Sequence, residues 1–228
     1  MGESVVVSLP ADPKQARSKQ TKEKIVQAAI RLFEERGYDK TTSNDIAAEA
    51  GVSVGSFYVY FTDKRQLLLS IFNRVADELY KNVFDNLQPE HLFDSELAPR
   101  INQAVAKSIY DKEKRAGLHR VIWEMVLRDP EFAMVHKRVM KRGADRIREL
   151  ISLAKKAGLT WDIDLDGAAF IVQRVVFDLS QDYVAGCIEF DEQKAISALS
   201  EMIRRYIFKP RSEVRSEDRA DGSRAGGA

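Results

Sequence analysis

A chain of 228 residues is long enough for one large domain or two modest ones. Its 44% hydrophobic residues can fill a core and its 31% charged residues keep a surface wet, which excludes a disordered chain, and no apolar run reaches the ~18 residues of a membrane-spanning helix. With 36 basic against 35 acidic side chains there is no bulk polycation, so any contact to nucleic acid has to come from a local surface; the single cysteine, Cys187, excludes an internal disulfide and any Cys-x-x-Cys metal or redox site.

The opening Met1-Gly2-Glu3-Ser4 carries no basic stretch, Val5 to Leu9 is too short for a signal core, and Val6 breaks the myristoylation pattern, so a cytoplasmic protein is expected. Pro10 and Pro13 mark a loose arm over 1–16. Lys14, Arg17, Lys19, Lys22 and Lys24 then crowd one stretch, opposed there only by Glu23, and make either a solvated helix start or a local anion-binding surface. From Arg17 the apolar residues Ile25, Ala28, Ala29, Leu32 and Phe33 fall on one helical face, closed by Gly37. Thr41-Thr42-Ser43 offers N-caps for a short helix over 44–50 that turns Ile46, Ala47 and Ala50 inward. Gly51-Val52 ends it, and Ser53 caps a third helix running to Tyr60. Thr62-Asp63 caps a fourth, in which Leu67, Leu68, Ile71, Phe72, Val75 and Leu79 recur at helical intervals.

Pro89 and Pro99 punctuate a looser segment. Further helices are predicted over 100–113, 118–127, 130–157, 166–186 and 191–207. The tail from 210 to 228 has almost nothing to bury and is expected to be disordered. With no strand-like alternation, repeat or heptad, the fold class is all-α: a helix-turn-helix domain over 17–62, then a helical domain over 63–209.

The two short helices joined at Gly51 form the helix-turn-helix. A sharp bend at that position favours positive φ, which a Cβ resists, and the small Ala47 and Ala50 let the helices approach. In such a unit the second helix enters the major groove while the first crosses the backbone. Ser53, Gly55 and Ser56 stand at the start of that second helix, where free N–H groups and short hydroxyls suit a phosphate or a base edge. Lys64 also stands at a helix start, an awkward place for a cation unless an anion sits nearby.

Residues Thr42 to Leu68, together with the preceding Ala29 to Tyr38, resemble the DNA-binding signature of the TetR family of repressors. The resemblance implies that Tyr58 and Lys64 hold backbone phosphates and that Asn44, Val54 and Val59 face bases, where the valines read a thymine methyl and Asn44 pairs with adenine. Thr42, Ser43 and Tyr60 complete the expected DNA-binding set. The resemblance also implies a homodimer built on the last two long helices, with Val172, Val176, Leu179, Tyr183, Leu199, Ile203 and Tyr206 at the interface. It further implies a pocket for a small-molecule effector, whose candidate lining is Phe72, Tyr110, Trp123, Phe132, Phe170, Arg174 and Phe177. No cofactor and no metal is expected.

Two other motifs compete. Gly51-Val52-Ser53-Val54-Gly55 matches the nucleophile elbow of serine esterases, which needs a strand before the serine. Asp162-Ile163-Asp164-Leu165-Asp166-Gly167 opens like a calcium loop, but Gln173 occupies the position of the closing glutamate. His91, His119 and His136 show no ligand spacing and read as incidental. The expected function is a ligand-responsive transcriptional regulator, a repressor released from a palindromic double-stranded DNA operator by an apolar or amphipathic effector. The alternatives are an activator or a non-operator binding module on the same fold, and, more remotely, an esterase using Ser53.

Overall fold

The computed structural model describes residues 13–85, 87–93, 96–113 and 115–210. Among these residues nine α-helices follow in chain order: α1 (Pro13–Arg36), α2 (Ser43–Glu49), α3 (Val54–Tyr60), α4 (Lys64–Phe84), α5 (Leu97–Glu113), α6 (Ala116–Arg128), α7 (Pro130–Lys156), α8 (Leu165–Ala185) and α9 (Glu192–Ile207). The expected arm before Pro13 and the expected tail beyond Pro210 lie outside the described residues. The chain divides into two compact units, Met1–Phe72 and Asn73–Ala228, and the division falls inside α4.

In the first unit α1 begins at Pro13, four residues before the expected start at Arg17. A proline suits a first helical position because its missing N–H has no intrahelical partner to lose. Ile25, Ala28, Ala29 and Phe33 of α1 are fully buried, as are Ile46 and Ala47 of α2, Phe57 of α3, and Leu67 and Leu68 of α4. One side chain per turn from each short helix therefore suffices to close this small core. Gly51, at φ +65°, makes the bend between α2 and α3 in the left-handed region that glycine adopts without strain.

The second unit has its main core where α5, α7, α8 and α9 meet. Ile101, Val105, Ile109, Ile151, Ala168, Val172, Ile196, Leu199, Ile203 and Ile207 form one buried cluster. Helix α6 buries Leu118, Val121, Ile122 and Met125 and packs on α7. The segment after α7 is clasped to the end of α9: Thr160 bridges Phe208, the Lys209 N–H donates to the Leu159 carbonyl at 2.9 Å, and the Trp161 indole donates to the Arg205 carbonyl at 3.2 Å. The expected looser segment contains a 3₁₀ turn at Pro89–Phe93, and Pro99 lies inside the first turn of α5, where its missing N–H breaks no hydrogen bond. No helix among the described residues is long and apolar enough to cross a membrane.

The carboxylates of the calcium-like loop diverge instead of converging. Asp164 caps α8 by accepting from the Asp166 and Gly167 N–H groups, Asp162 pairs with Lys155 at 2.8 Å, and Asp166 pairs with Arg148. Capping and ion pairing account for all three.

Candidate nucleic-acid interface

Each end of the helix-turn-helix is fixed by a local hydrogen-bond device. Thr42 and Asp45 form a capping box: the Asp45 N–H donates to Thr42 Oγ1 at 3.1 Å and the Thr42 N–H donates to Asp45 Oδ2 at 2.9 Å. The hydrogen bonds from the Thr42 hydroxyl and N–H hold the Asp45 carboxyl below the usual carboxylate range. The hydroxyl of Thr42 is therefore engaged within the protein, while Ser43 is half-buried and Asn44 is exposed. Ser53 caps α3 by accepting from the Ser56 N–H at 3.0 Å, and the two serine hydroxyls lie 2.8 Å apart. A coil residue capping a helix, with no strand before it, lacks the strained strand-to-helix turn an esterase nucleophile requires.

Helix α3 presents two unlike faces. Phe57 is fully buried, whereas Val54, Tyr58 and Val59 are 40%, 53% and 77% exposed. Gly55, beside them, is also exposed. Tyr58 meets the Phe57 ring edge-on, with centroids 5.3 Å apart, which holds its phenol on the outer side of the helix. Tyr60 is half-buried, and its hydroxyl donates to Ser18 Oγ at 3.2 Å, so the end of α3 is tied to the first turns of α1. Lys22 lies beside this link, with Nζ 5.5 Å from the Phe61 ring centroid. Ser18 and Lys22 are absent from the sequence-derived set. Their signal is positional, since each lies seven residues before a buried residue of α1, Ile25 and Ala29.

Lys64 has its own partners within the chain. Its ammonium donates to the carbonyls of Thr41 at 2.7 Å and Tyr38 at 2.8 Å, with Asp39 O at 3.4 Å, and it stands 4.3 Å from the Tyr38 ring centroid. The negative partner sought at this helix start is supplied by the chain's own α1–α2 corner. Thr41, fully buried, completes that corner by donating to the Gly37 carbonyl at 2.8 Å. Outside it, Arg31 and Glu49 pair at 2.9 Å and join α1 to α2.

In the second unit the expected effector residues scatter. Trp123, Phe177 and Arg174 come together, joined by His136: the Trp123–His136, His136–Phe177 and Trp123–Phe177 centroids are 5.3, 5.2 and 5.9 Å apart, and the Arg174 guanidinium lies 5.7 Å from Phe177. His136 is thus part of this ring cluster. Arg174 also pairs with Asp178 at 3.1 Å, one turn further along α8. Phe132 is fully buried, and Tyr110 packs against the α5–α9 core with its hydroxyl bonded to Gln193. Phe170 is 59% exposed and stands apart from that cluster's ring contacts. Phe72 is buried in the first unit.

Of the expected dimer residues, Val172, Leu199 and Ile203 belong to the chain's own buried core, and Val176, Leu179 and Tyr183 pack against it while staying only partly buried. Of the set only Tyr206 is exposed. The uncovered apolar residues of these helices are Phe170, Ile171 and Val175 on α8 and Met202 and Tyr206 on α9.

Comparison with known proteins accords with this geometry. The sequence profile described as "Bacterial regulatory proteins, tetR family" matches residues 25–71. The regulator YvdT of Bacillus subtilis is 40% identical over 76 residues, which cover 33% of this chain and 36% of that protein. The probable acrEF/envCD operon repressor of Escherichia coli K12 is 23% identical over 213 residues, 87% of this chain and 91% of that protein. A transcriptional regulator from Saccharomonospora viridis, solved in complex with choline, shares the fold at a TM-score of 0.67 with 19% identity, over 84% of this chain and all of that one. The chain spans only 23%, 17% and 36% of the length of three Bacillus subtilis relatives that it matches.

Proposed function

We propose that this chain, which belongs to the TetR family of bacterial regulatory proteins, is a dimeric transcriptional repressor that binds a palindromic DNA operator and is released from it by a small effector. The observation that carries the reading is the outer face of α3. A seven-residue helix that buries Phe57 and ties Tyr60 to Ser18 turns Val54, Tyr58 and Val59 to water, and no packing within the unit accounts for apolar side chains there. Apolar side chains in that place suit thymine methyl groups, the Tyr58 hydroxyl suits a phosphate oxygen, and Asn44 suits an adenine edge. Ser53, Gly55 and Ser56 bring short hydroxyls and backbone to the same side.

The effector side of the proposal is supported by the Trp123–His136–Phe177 ring cluster with Arg174 at its edge, a mostly apolar setting with few polar groups that suits an apolar or amphipathic molecule. Binding there must favour a state with weaker DNA affinity, so effector and operator affinities are reciprocally reduced by the same factor.

Selection from a library of randomised duplexes tests the DNA-binding half. The wild-type protein should enrich an inverted repeat, and Val59→Ala should lose preference at one position in each half-site, where a mismatch otherwise costs about 1–3 kcal/mol. Failure to enrich any sequence would favour the non-operator binding module on the same fold.

A further inference from the structure

We infer that the first turns of α1 form a second DNA-binding element, a phosphate-gripping surface beside the recognition helix that supplies the positive charge the helix-turn-helix lacks. The inference rests on the reading that α3 enters duplex DNA.

The charge distribution poses the problem. From Ser43 to Phe61 the sequence contains no Lys and no Arg, but it contains the carboxylates Asp45 and Glu49. Lys64, the next cation along the chain, donates to the carbonyls of Tyr38 and Thr41. A duplex carries one negative charge per ~1.7 Å of its axis, and contacts between phosphates and cations supply most of the affinity that does not depend on sequence. A helix-turn-helix without cations of its own therefore needs them from a neighbouring segment.

The structure places such a segment at one end of α3. The face of α1 that buries Ile25, Ala29 and Leu32 carries Ser18 and Lys22 in the turns before them, so this stripe becomes polar and basic where it leaves the core. There it meets α3: the Tyr60 hydroxyl donates to Ser18, and Lys22 stands over the Phe61 ring. Arg17, Lys19 and Lys24 are exposed on the same turns, and none of the three joins an ion pair among the described residues. The lone carboxylate of the stretch, Glu23, accepts from Gln27 Nε2 at 2.7 Å. With α3 in a major groove ~12 Å wide and walled by phosphates, cations held against its C-terminal end lie next to one wall. They carry charge without reading sequence.

A contrasting surface shows that basic residues alone are not the argument. Arg138, Lys141, Arg142 and Arg146 line a groove on the second unit with Tyr80, yet Lys141, Arg142 and Arg146 pair with Asp145, Asp77 and Glu149 respectively, so most of that charge is balanced within the chain.

The test follows full-length protein binding, by fluorescence anisotropy across a salt series, to two duplexes of equal length: one enriched from the randomised library and one of mixed sequence. Arg17→Gln/Lys19→Gln/Lys22→Gln uses good helix formers at exposed positions. It should flatten the plot of log affinity against log salt by about two to three units on both duplexes, roughly 0.9 per phosphate contact removed, with the enriched sequence unchanged. The charge-keeping variant Arg17→Lys/Lys19→Arg/Lys22→Arg should retain the wild-type slope. An unchanged slope in the glutamine variant, folded by circular dichroism, overturns the inference while leaving operator recognition intact. Conversely, a protein that enriches no sequence but whose mixed-duplex slope still falls in the glutamine variant keeps this surface and loses the operator. Absence of binding to either duplex overturns both.

Discussion

Lys64 is held by carbonyl dipoles on three sides of one corner, and that makes it a structural tie between the start of α4 and the α1–α2 connection. The sequence exposes half of this: a cation at a helix start opposes the positive end of the helix dipole and needs a negative partner. The partner itself was not legible, because the accepting carbonyls lie 23 and 26 residues earlier and every residue has a carbonyl, so no residue type announces one. The tie has a measurable consequence. Lys64→Met keeps most of the stem but leaves the Thr41 carbonyl without this donor and the Tyr38 carbonyl with the Thr41 N–H in its place, and should cost about 1–3 kcal/mol of stability in urea unfolding, the range for hydrogen bonds to charged groups. It should leave the salt dependence of DNA binding at the wild-type slope. A stable Lys64→Met protein with a slope about one unit shallower would restore the phosphate role.

At the level of elements, caps were the most legible feature. Thr42, Ser53 and Asp164 each sit where a short polar side chain precedes an apolar-periodic run, and each accepts from the N–H groups its helix leaves open. The facing of a helix was less legible. Helix α8 is apolar around much of its circumference, and periodicity marks Val172, Val176 and Phe170 alike without saying which side meets the subunit's own core. Close approach between helices was also hidden. Gly143 of α7 lies so near Gln173 of α8 that a Cβ built there would stand 2.5 Å from the Gln173 amide oxygen. Gly143→Ala gains roughly 1 kcal/mol of helix propensity and meets an overlap that costs about the same or more unless the glutamine swings away. The substitution should therefore be neutral to destabilising in the native background and stabilising by about 1 kcal/mol in Gln173→Ala. Equal effects of Gly143→Ala in both backgrounds, read from denaturant midpoints, would show that the two side chains do not compete for this space.

For the whole molecule, the question is what covers Phe170, Ile171 and Val175 of α8 and Met202 and Tyr206 of α9. Exposed large apolar residues on two adjacent elements mark an association surface, since each 100 Å² of apolar area removed from water contributes about 2–3 kcal/mol. A twofold partner fits best: an isologous interface puts the same patch on both sides and needs no second kind of protein. On the proposed function such a partner would supply a second copy of α3, and a palindromic operator calls for two, at half-sites about 34–36 Å apart or a multiple of that distance. Ile171→Asp/Met202→Asp places carboxylates in the patch without touching the buried cluster of Val172, Leu199 and Ile203. Sedimentation velocity should then show a monomer, and circular dichroism a helix content matching the wild type. Its affinity for the enriched inverted repeat should fall by about 10²–10⁴-fold, the gain that linking two sites ordinarily brings, while affinity for an isolated half-site should hold within a factor of about two. A variant that remains dimeric would move the interface elsewhere. A monomer that still binds the inverted repeat at wild-type affinity would show that one recognition helix is enough, and the pairing of α3 with its twofold mate would have no part in operator binding.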